Sequence, residues 1–169
     1  EVATAEPPVT GTAAGAMLLT SQLFPAEIQF QAGEYVDANE NGIGDYGFPS
    51  EMAGAPLADD LTLSLLPPAW NAAEPTVDGW RFKVWLPDGV GGACDTPAAR
   101  AAAKGPGDSN FVAYAWPAEP DDDAVVLAIT SAGTVFVGPW TGTPPTWNAL
   151  WNGGGWSDAP AWPHYQSKP

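Results

Sequence analysis

Nineteen glycines and nineteen prolines interrupt this 169-residue sequence, and together they make up roughly a fifth of it. Glycine weakens helices and strands, and proline breaks the hydrogen-bond pattern of both. The chain can therefore contain only a few long regular elements. Because 45% of the residues are hydrophobic and nine are tryptophan, the sequence also argues against disorder. We expect one folded, loop-rich domain with a core of its own.

The charge and the residue inventory exclude several classes of function. The formal net charge is −15 and only five residues are Lys or Arg, too few to bind nucleic acid or an anionic membrane. The single cysteine, Cys94, excludes an intramolecular disulfide and a cysteine-based zinc site. The single histidine, His164, lies between proline and tyrosine, a poor scaffold for a catalytic base. We therefore expect no enzymatic activity, and the acidity fits an exported protein.

The residue pattern predicts one long helix near the N-terminus, followed by strands. Thr12 is a suitable N-cap, and apolar residues continue to Tyr35, while Pro25 predicts a kink or a fresh helix start. Alternating and apolar runs then predict strands over 79–87, 111–116, 124–130 and 134–137. The short loop 131–133 makes the last two strands a hairpin. The predicted fold class is α+β: a long N-terminal helix packed on a small antiparallel sheet of about four strands.

The same pattern divides the chain into three parts. Residues 1–11 form an extended arm, residues 12–140 the α+β domain, and residues 141–169 a tail rich in Trp, Pro and Gly. Within the domain, the short apolar segment 58–66 could be a brief helix or a strand, and the helix is favoured. The tail has no periodic pattern, so we expect an irregular segment held by aromatic side chains. No apolar run approaches the ~18 residues of a membrane span, so we expect none in this chain.

An acidic loop between the predicted helix and the sheet is the sharpest signal in the sequence. Oxygen-bearing side chains recur at alternate positions, Asp37, Asn39 and Asn41, and a glycine follows where the chain must turn. The backbone carbonyl of Ile43 and the carboxylate of Asp45 extend this spacing to the first nine positions of an EF-hand-like calcium loop. The spacing therefore predicts a structural Ca²⁺ site.

The end of this loop departs from the EF-hand pattern. The twelfth position is Phe48 where a bidentate glutamate is expected, and Glu51, farther along, supplies that carboxylate only in a longer loop. A second interpretation stays open, in which the segment is a solvated turn whose Asp and Asn side chains cap its own backbone.

Five tryptophans near the C-terminus form another candidate site. They are Trp140, Trp147, Trp151, Trp156 and Trp162. Three interpretations stay open: packing within the tail, a subunit interface, where Trp is enriched, or stacking on the sugar rings of a glycan.

The order of several motifs resembles the globular part of bacterial type IV pilin-like (prepilin-type) proteins. The resemblance rests on the helix end 29–35, the loop 37–47, the segment 51–54, the strand start 78–82, and the later strand segments 114–117 and 129–136. It implies a soluble head on a long helix, a four-stranded sheet, assembly into extracellular polymers or secretion pseudopili, and in some members a structural calcium. The sequence departs from the family because residues 1–16, rich in Pro, Thr, Ala and Gly, do not form the usual apolar N-terminal helix. Two interpretations stay open: an apolar segment has been removed, or the subunit assembles differently.

These observations predict a secreted, non-enzymatic structural protein. We expect a pilin-like subunit of an extracellular filament or cell-surface assembly that binds copies of itself and is stabilised by calcium. The alternative is a secreted carbohydrate-binding module that uses the tryptophans of the tail.

Overall fold

An antiparallel sheet runs through the middle of the fold, which is known from a computed structural model that describes residues 11–152, 155–156 and 162–166. The strand order is β1-β2-β4-β5-β6, and β3 pairs with the far end of β2. The strands are β1 Thr76–Val77, β2 Trp80–Pro87, β3 Ala93–Cys94, β4 Val112–Pro117, β5 Val125–Thr130 and β6 Val135–Pro139. These strands pair antiparallel, and the β5–β6 hairpin predicted from the sequence is confirmed.

The predicted fold class, a long helix on a sheet of about four strands, is wrong. The sheet has six strands, because the two-residue strands β1 and β3 add to the four that the alternation predicted. A two-residue strand is too short to carry a period, so its hydrogen bonds are invisible in the sequence pattern. The fold also has a third layer on the other face of the sheet, which the prediction did not contain.

One continuous helix occupies the N-terminal part of the described chain. It consists of α1, Thr12–Leu18, a π-helical segment, Leu19–Leu23, and α2, Phe24–Ala32. Pro25 explains the wide turn before it, since proline has no N–H to bond and its ring clashes with the carbonyl four residues earlier. The helix begins at Thr12, but Gly11 is its N-cap where Thr12 was expected. It ends at Ala32 with Gly33 as its C-cap, before the apolar pattern ends at Tyr35.

The helix and one face of the sheet enclose the larger core. On β2, Trp80, Phe82, Val84 and Leu86 are all buried, which confirms the alternation predicted for this strand. Gly15 lets the helix approach the sheet closely, because an added Cβ would lie 2.9 Å from the Trp80 ring. Residues of this face and of the helix belong to the larger of the two hydrophobic clusters.

The opposite face of the sheet is covered by the tryptophan-containing segment after β6. This segment contains a 3₁₀ turn, Trp147–Ala149, and the short hairpin strands β7, Trp151–Asn152, and β8, Gly155–Trp156. Its buried residues Trp147, Leu150 and Trp162 pack against Tyr114, Trp116 and their neighbours on the sheet. Much of the described tail therefore forms a second core.

Residues 162–166 lie along the outer edge of β6. The N–H of Val137 donates to the carbonyl of Pro163 at 2.9 Å, and the N–H of Tyr165 donates to the carbonyl of Val135 at 2.8 Å. Between these bonds, His164 forms an isolated bridge with Phe136. The segment thus satisfies backbone groups that an edge strand would otherwise leave open.

The remaining elements are short. Helix α3 spans Pro49–Met52 and helix α4 spans Pro97–Ala103. The interpretation of 58–66 as a helix is wrong beyond its first turn: only Ala58–Asp60 is helical, as a 3₁₀ turn, and the chain then extends. The predicted arm 1–11 lies outside the described residues except for Gly11. Among the described residues, no helix is both long and apolar enough to cross a membrane.

Candidate functional site

The acidic loop follows α2 and folds back on itself through its own side chains. The carboxylate of Asp37 accepts hydrogen bonds from the N–H groups of Asn41, at 3.1 Å, and Gly42, at 2.8 Å. The side-chain oxygen of Asn41 accepts from the N–H of Ile43 at 2.9 Å. These are the bonds of an Asx-rich turn, and Gly42 supplies the left-handed backbone that the turn requires, with φ at 83°.

The second half of the loop is pressed against the end of the helix. At Gly44 an added Cβ would lie 2.4 Å from the carbonyl oxygen of Gln31, so only glycine fits. The next residue, Asp45, donates its N–H to the Val36 carbonyl at 2.7 Å and accepts the N–H of Ala38 on Oδ2 at 3.0 Å. This close packing buries the Asp45 side chain completely.

Three side-chain oxygens around this loop are buried and have no hydrogen-bond partner. They are Oδ1 of Asn39, Oδ1 of Asp45 and Oδ1 of Asp108. Asp108 belongs to the turn between α4 and β4, which was not predicted to contribute to the site. Its Oδ2 accepts from the side-chain amide of Asn41 at 3.2 Å, so the turn and the acidic loop are in contact. No spacing in the sequence links Asp108 to the loop, because the tertiary fold brings them together.

Glu51 makes different contacts from those its predicted role requires. It lies in α3, where Oε1 accepts the N–H of Phe48 at 3.0 Å and caps the short helix. Both of its carboxylate oxygens also accept hydrogen bonds from Arg100 of α4, one of them at 2.9 Å. Glu51 is thus part of a buried ion pair. The side chain of Ile43, another residue of the predicted calcium loop, is exposed to solvent.

Arg100 is the cation nearest to the buried acids that the structure describes. It lies in an alanine-rich helix, yet its side chain is buried, and its Nε is 4.0 Å from Oδ2 of Asp45. Burial raises the pKa of Asp45, and the charges of Asp108 and Asp37 raise it further, while Arg100 and the bond from Ala38 lower it. The site is therefore short of positive charge.

Glu27 is another buried acid beside this region. Its Oε2 accepts the N–H of Gly47 at 2.8 Å, which ties the helix to the end of the loop. Desolvation raises the pKa of Glu27 well above its ordinary value, and the nearby Glu51 acts in the same direction. Its Oε1 has no hydrogen-bond partner.

The tryptophans of the tail occupy different environments. Trp147 and Trp162 are buried, and Trp162 packs against Tyr114 with ring centroids 5.9 Å apart. Trp140 is half-buried and stacks on Trp116, with the centroids separated by 6.2 Å. Trp151 is half-buried and contacts Trp147. The side chain of Trp156 lies outside the described part of the chain.

The single cysteine and the single histidine of the chain lie apart from the unpartnered oxygens of the acidic loop. Cys94 is a free, buried thiol on β3, and burial raises its pKa. His164 packs edge-on against Phe136, with ring centroids 4.9 Å apart.

In the stretches covered by the structure, no three carboxylate, imidazole or thiol groups lie close enough together to form a ready-made metal cluster. Comparison with protein-family models, with curated proteins and with solved structures finds no match to this chain. The arguments about function therefore rest on the residues themselves.

Proposed function

We propose that this chain is a non-enzymatic structural subunit that assembles with copies of itself into an extracellular filament or surface layer of a bacterium. The pilin-like order of the sequence motifs supports this proposal, as does the exported character of the composition. The buried acids support a structural role, because Glu27 and Glu51 bind backbone N–H groups and Arg100. An acid engaged in this way is poorly placed for acid–base chemistry on a substrate.

An apolar groove between the helix and β6 is the observation that carries the proposal. Met17 lies on its helix side with 53% of its surface exposed, and Val135 and Tyr165 lie opposite. The groove encloses about 480 Å³, and it is lined by Ala13, Ala16, Met17, Thr20, Gly133, Val135 and Tyr165. A large exposed apolar side chain in a concave surface is typical of a protein–protein contact.

The electrostatics of the groove favour a second copy of the chain as its occupant. Two copies that each carry a net charge of −15 repel one another, so they can associate only through surfaces with little charge of their own. Among the residues that the structure describes, no acidic or basic side chain lines the groove. Contact here buries apolar surface without bringing carboxylates together.

Electron microscopy and sedimentation velocity of the purified full chain test this function. We expect concentration-dependent polymers from the wild type, and loss of them in Met17→Glu, which places a charge in the groove. The matched control is Val90→Glu, which adds the same charge at a residue that is 88% exposed and outside the groove. A wild-type chain that stays monomeric at every concentration, or polymers that survive Met17→Glu, would overturn the proposal.

A carbohydrate-binding module is a second candidate, supported by a cleft beside two tail tryptophans. The cleft encloses about 510 Å³ and is lined by Trp147 and Trp151 together with the polar side chains of Ser109, Asn110 and Asn148. Aromatic faces combined with a few polar groups suit a sugar. Tryptophan fluorescence titrated with polysaccharides tests it: binding is expected to shift the emission, and Trp151→Ala to abolish the shift while Trp140→Ala retains it.

A further inference from the structure

We infer that Asn39, Asp45 and Asp108 form a divalent-cation site, of the kind that Ca²⁺ occupies, which joins the acidic loop to the turn before β4. This site differs from the EF-hand-like set predicted from spacing: it keeps Asn39 and Asp45, adds Asp108, and leaves out Asp37, Asn41, Ile43 and Glu51. It is also independent of self-assembly, since all of its ligands come from one copy of the chain.

The Oδ1 atom of Asp45 is buried and has no hydrogen-bond partner. A fully buried carboxylate oxygen that accepts no hydrogen bond is unfavourable, and native structures rarely leave one without a compensating group. Its other oxygen is already satisfied by the N–H of Ala38. Arg100 approaches that second oxygen, at 4.0 Å, so the guanidinium does not compensate Oδ1.

The three oxygens without a hydrogen-bond partner belong to segments that meet at Asp45. On one side of its carboxylate lies the backbone of Ala38, which precedes Asn39. On the other side lies Gly107, which precedes Asp108, and an added Cβ there would be 3.3 Å from Oδ1 of Asp45. Each of these two neighbours is therefore followed in the sequence by a residue whose buried oxygen has no hydrogen-bond partner.

Hydrogen bonds hold the turn that carries Asp108 against the loop and the helix. The N–H of Tyr46 donates to the Gly107 carbonyl at 3.0 Å, and the side-chain amide of Gln31 donates to the Asp108 carbonyl at 2.7 Å. These bonds fix the position of Asp108 without a cation, so its unpartnered Oδ1 is available to bind a cation.

The chemistry of the donor set favours calcium. Two carboxylates and one amide oxygen are hard oxygen ligands, and Ca²⁺ accepts such ligands together with backbone carbonyls and water in a flexible geometry. The Asp37 carboxylate lies close enough to act on Asp45 electrostatically, so it adds negative charge at the rim. A cation here would offset carboxylate charge that Arg100, which is paired with Glu51, does not neutralise.

Calorimetric titration of the chelator-treated full chain with Ca²⁺ and with Mg²⁺ tests the site directly, and Tb³⁺ luminescence excited through the aromatic side chains gives an independent readout. We expect one Ca²⁺ per chain, weaker binding of Mg²⁺, and a rise in melting temperature of about 5–10 °C at a Ca²⁺ concentration one hundred times the dissociation constant.

Two conservative variants identify the ligands. Asp45→Asn and Asp108→Asn are each expected to weaken Ca²⁺ binding at least about tenfold. Glu40→Gln is the matched control, because it removes the same charge from an exposed residue of the same loop and is expected to bind normally. Absence of Ca²⁺ binding and of any shift in the melt would show that water alone satisfies these oxygens. Wild-type affinity in both Asp→Asn variants would equally overturn the assignment.

Discussion

Arg100 and Glu51, 49 positions apart in the sequence, form a buried bidentate ion pair that joins α4 to α3. The same guanidinium donates to the carbonyl of Tyr46 at 3.2 Å and lies over the ring of Phe48. One side chain thereby holds the end of the acidic loop, the short helix after it and the helix before β4. The stability of the region around the proposed cation site should therefore depend on this arginine.

Arg100→Met is expected to lower the free energy of unfolding by about 3–5 kcal/mol, because it leaves Glu51 as an unpaired buried charge. Chemical denaturation monitored by circular dichroism measures the change. The control is Arg81→Met, since Arg81 is exposed and Glu74, 3.5 Å away, is only half-buried, and a loss of about 0–1 kcal/mol is expected. Equal losses in the two variants would contradict the importance assigned to burial.

Glu27→Gln is expected to change how stability depends on pH. The folded-state pKa of Glu27 lies above its ordinary value of 4.5, so its contribution is complete below about pH 4.5 and is lost as the pH rises through the folded-state pKa. Glutamine does not titrate and can still accept the N–H of Gly47. The stability of the variant relative to the wild type should therefore increase with pH.

This pH dependence is measured by urea denaturation of both proteins between pH 4.5 and pH 8 in the presence of chelator. Taking the difference between the two proteins removes the titrations that they share, including that of Asp45. A difference that stays constant or falls with rising pH would show that Glu27 is not held protonated by burial.

Gly44→Ala is expected to destabilise the fold by about 3 kcal/mol, because the new Cβ meets backbone atoms of Gln31 and Glu34 at 2.4 and 2.8 Å. Gly42→Ala in the same loop is the comparison: its Cβ meets nothing within 4 Å, and only the left-handed backbone opposes it, at about 1 kcal/mol. Thermal and chemical denaturation of the two variants decide the order. A larger effect at Gly42 would mean that the loop does not press on the helix as described.

Gly138→Ala is expected to displace the segment that covers β6. The added Cβ would lie 2.5 Å from ring atoms of Trp162, which packs directly over this glycine. Hydrogen exchange provides the readout, because the N–H groups of Val137 and Tyr165 are protected only while the segment stays in place. Gly142→Ala is the control: its left-handed backbone, with φ at 94°, opposes alanine by about 1 kcal/mol, but its Cβ meets nothing within 4 Å, so both amides should stay protected. Unchanged exchange in Gly138→Ala would contradict the packing.

The parts of the fold that local pattern determines could be predicted from the sequence. The alternation from Trp80 to Pro87 identified a strand and its buried face, and Thr12 identified the start of the helix. The strands β1 and β3 were missed because two residues carry no period. The packing of the tail on the second face of the sheet was missed. It depends on how individual tryptophans fit against the strands, and the tail has no periodic pattern that indicates this fit.

The candidate site shows the same division. Spacing drew attention to Asp37, Asn39 and Asp45, since neighbouring positions of one loop are close in any fold. Asp108 and Arg100 could not be found in this way. They come after β2 and β3 in the sequence, and only the tertiary fold brings them next to the loop. A buried arginine in an alanine-rich helix is also contrary to its usual exposure, so composition pointed away from it.

The pairing of residues 162–166 with β6 has a consequence for synthesis on the ribosome. Strands β2, β4, β5 and β6 can form their ladder once β6 has emerged, but the outer edge of β6 and the surface over Gly138 stay uncovered until Trp162 and Tyr165 have also emerged. The nascent chain therefore passes through a stage in which a completed sheet exposes both an open edge and an apolar face. Such a stage is prone to pairing with neighbouring chains, so translation speed through residues 140–166 should influence the yield of folded protein.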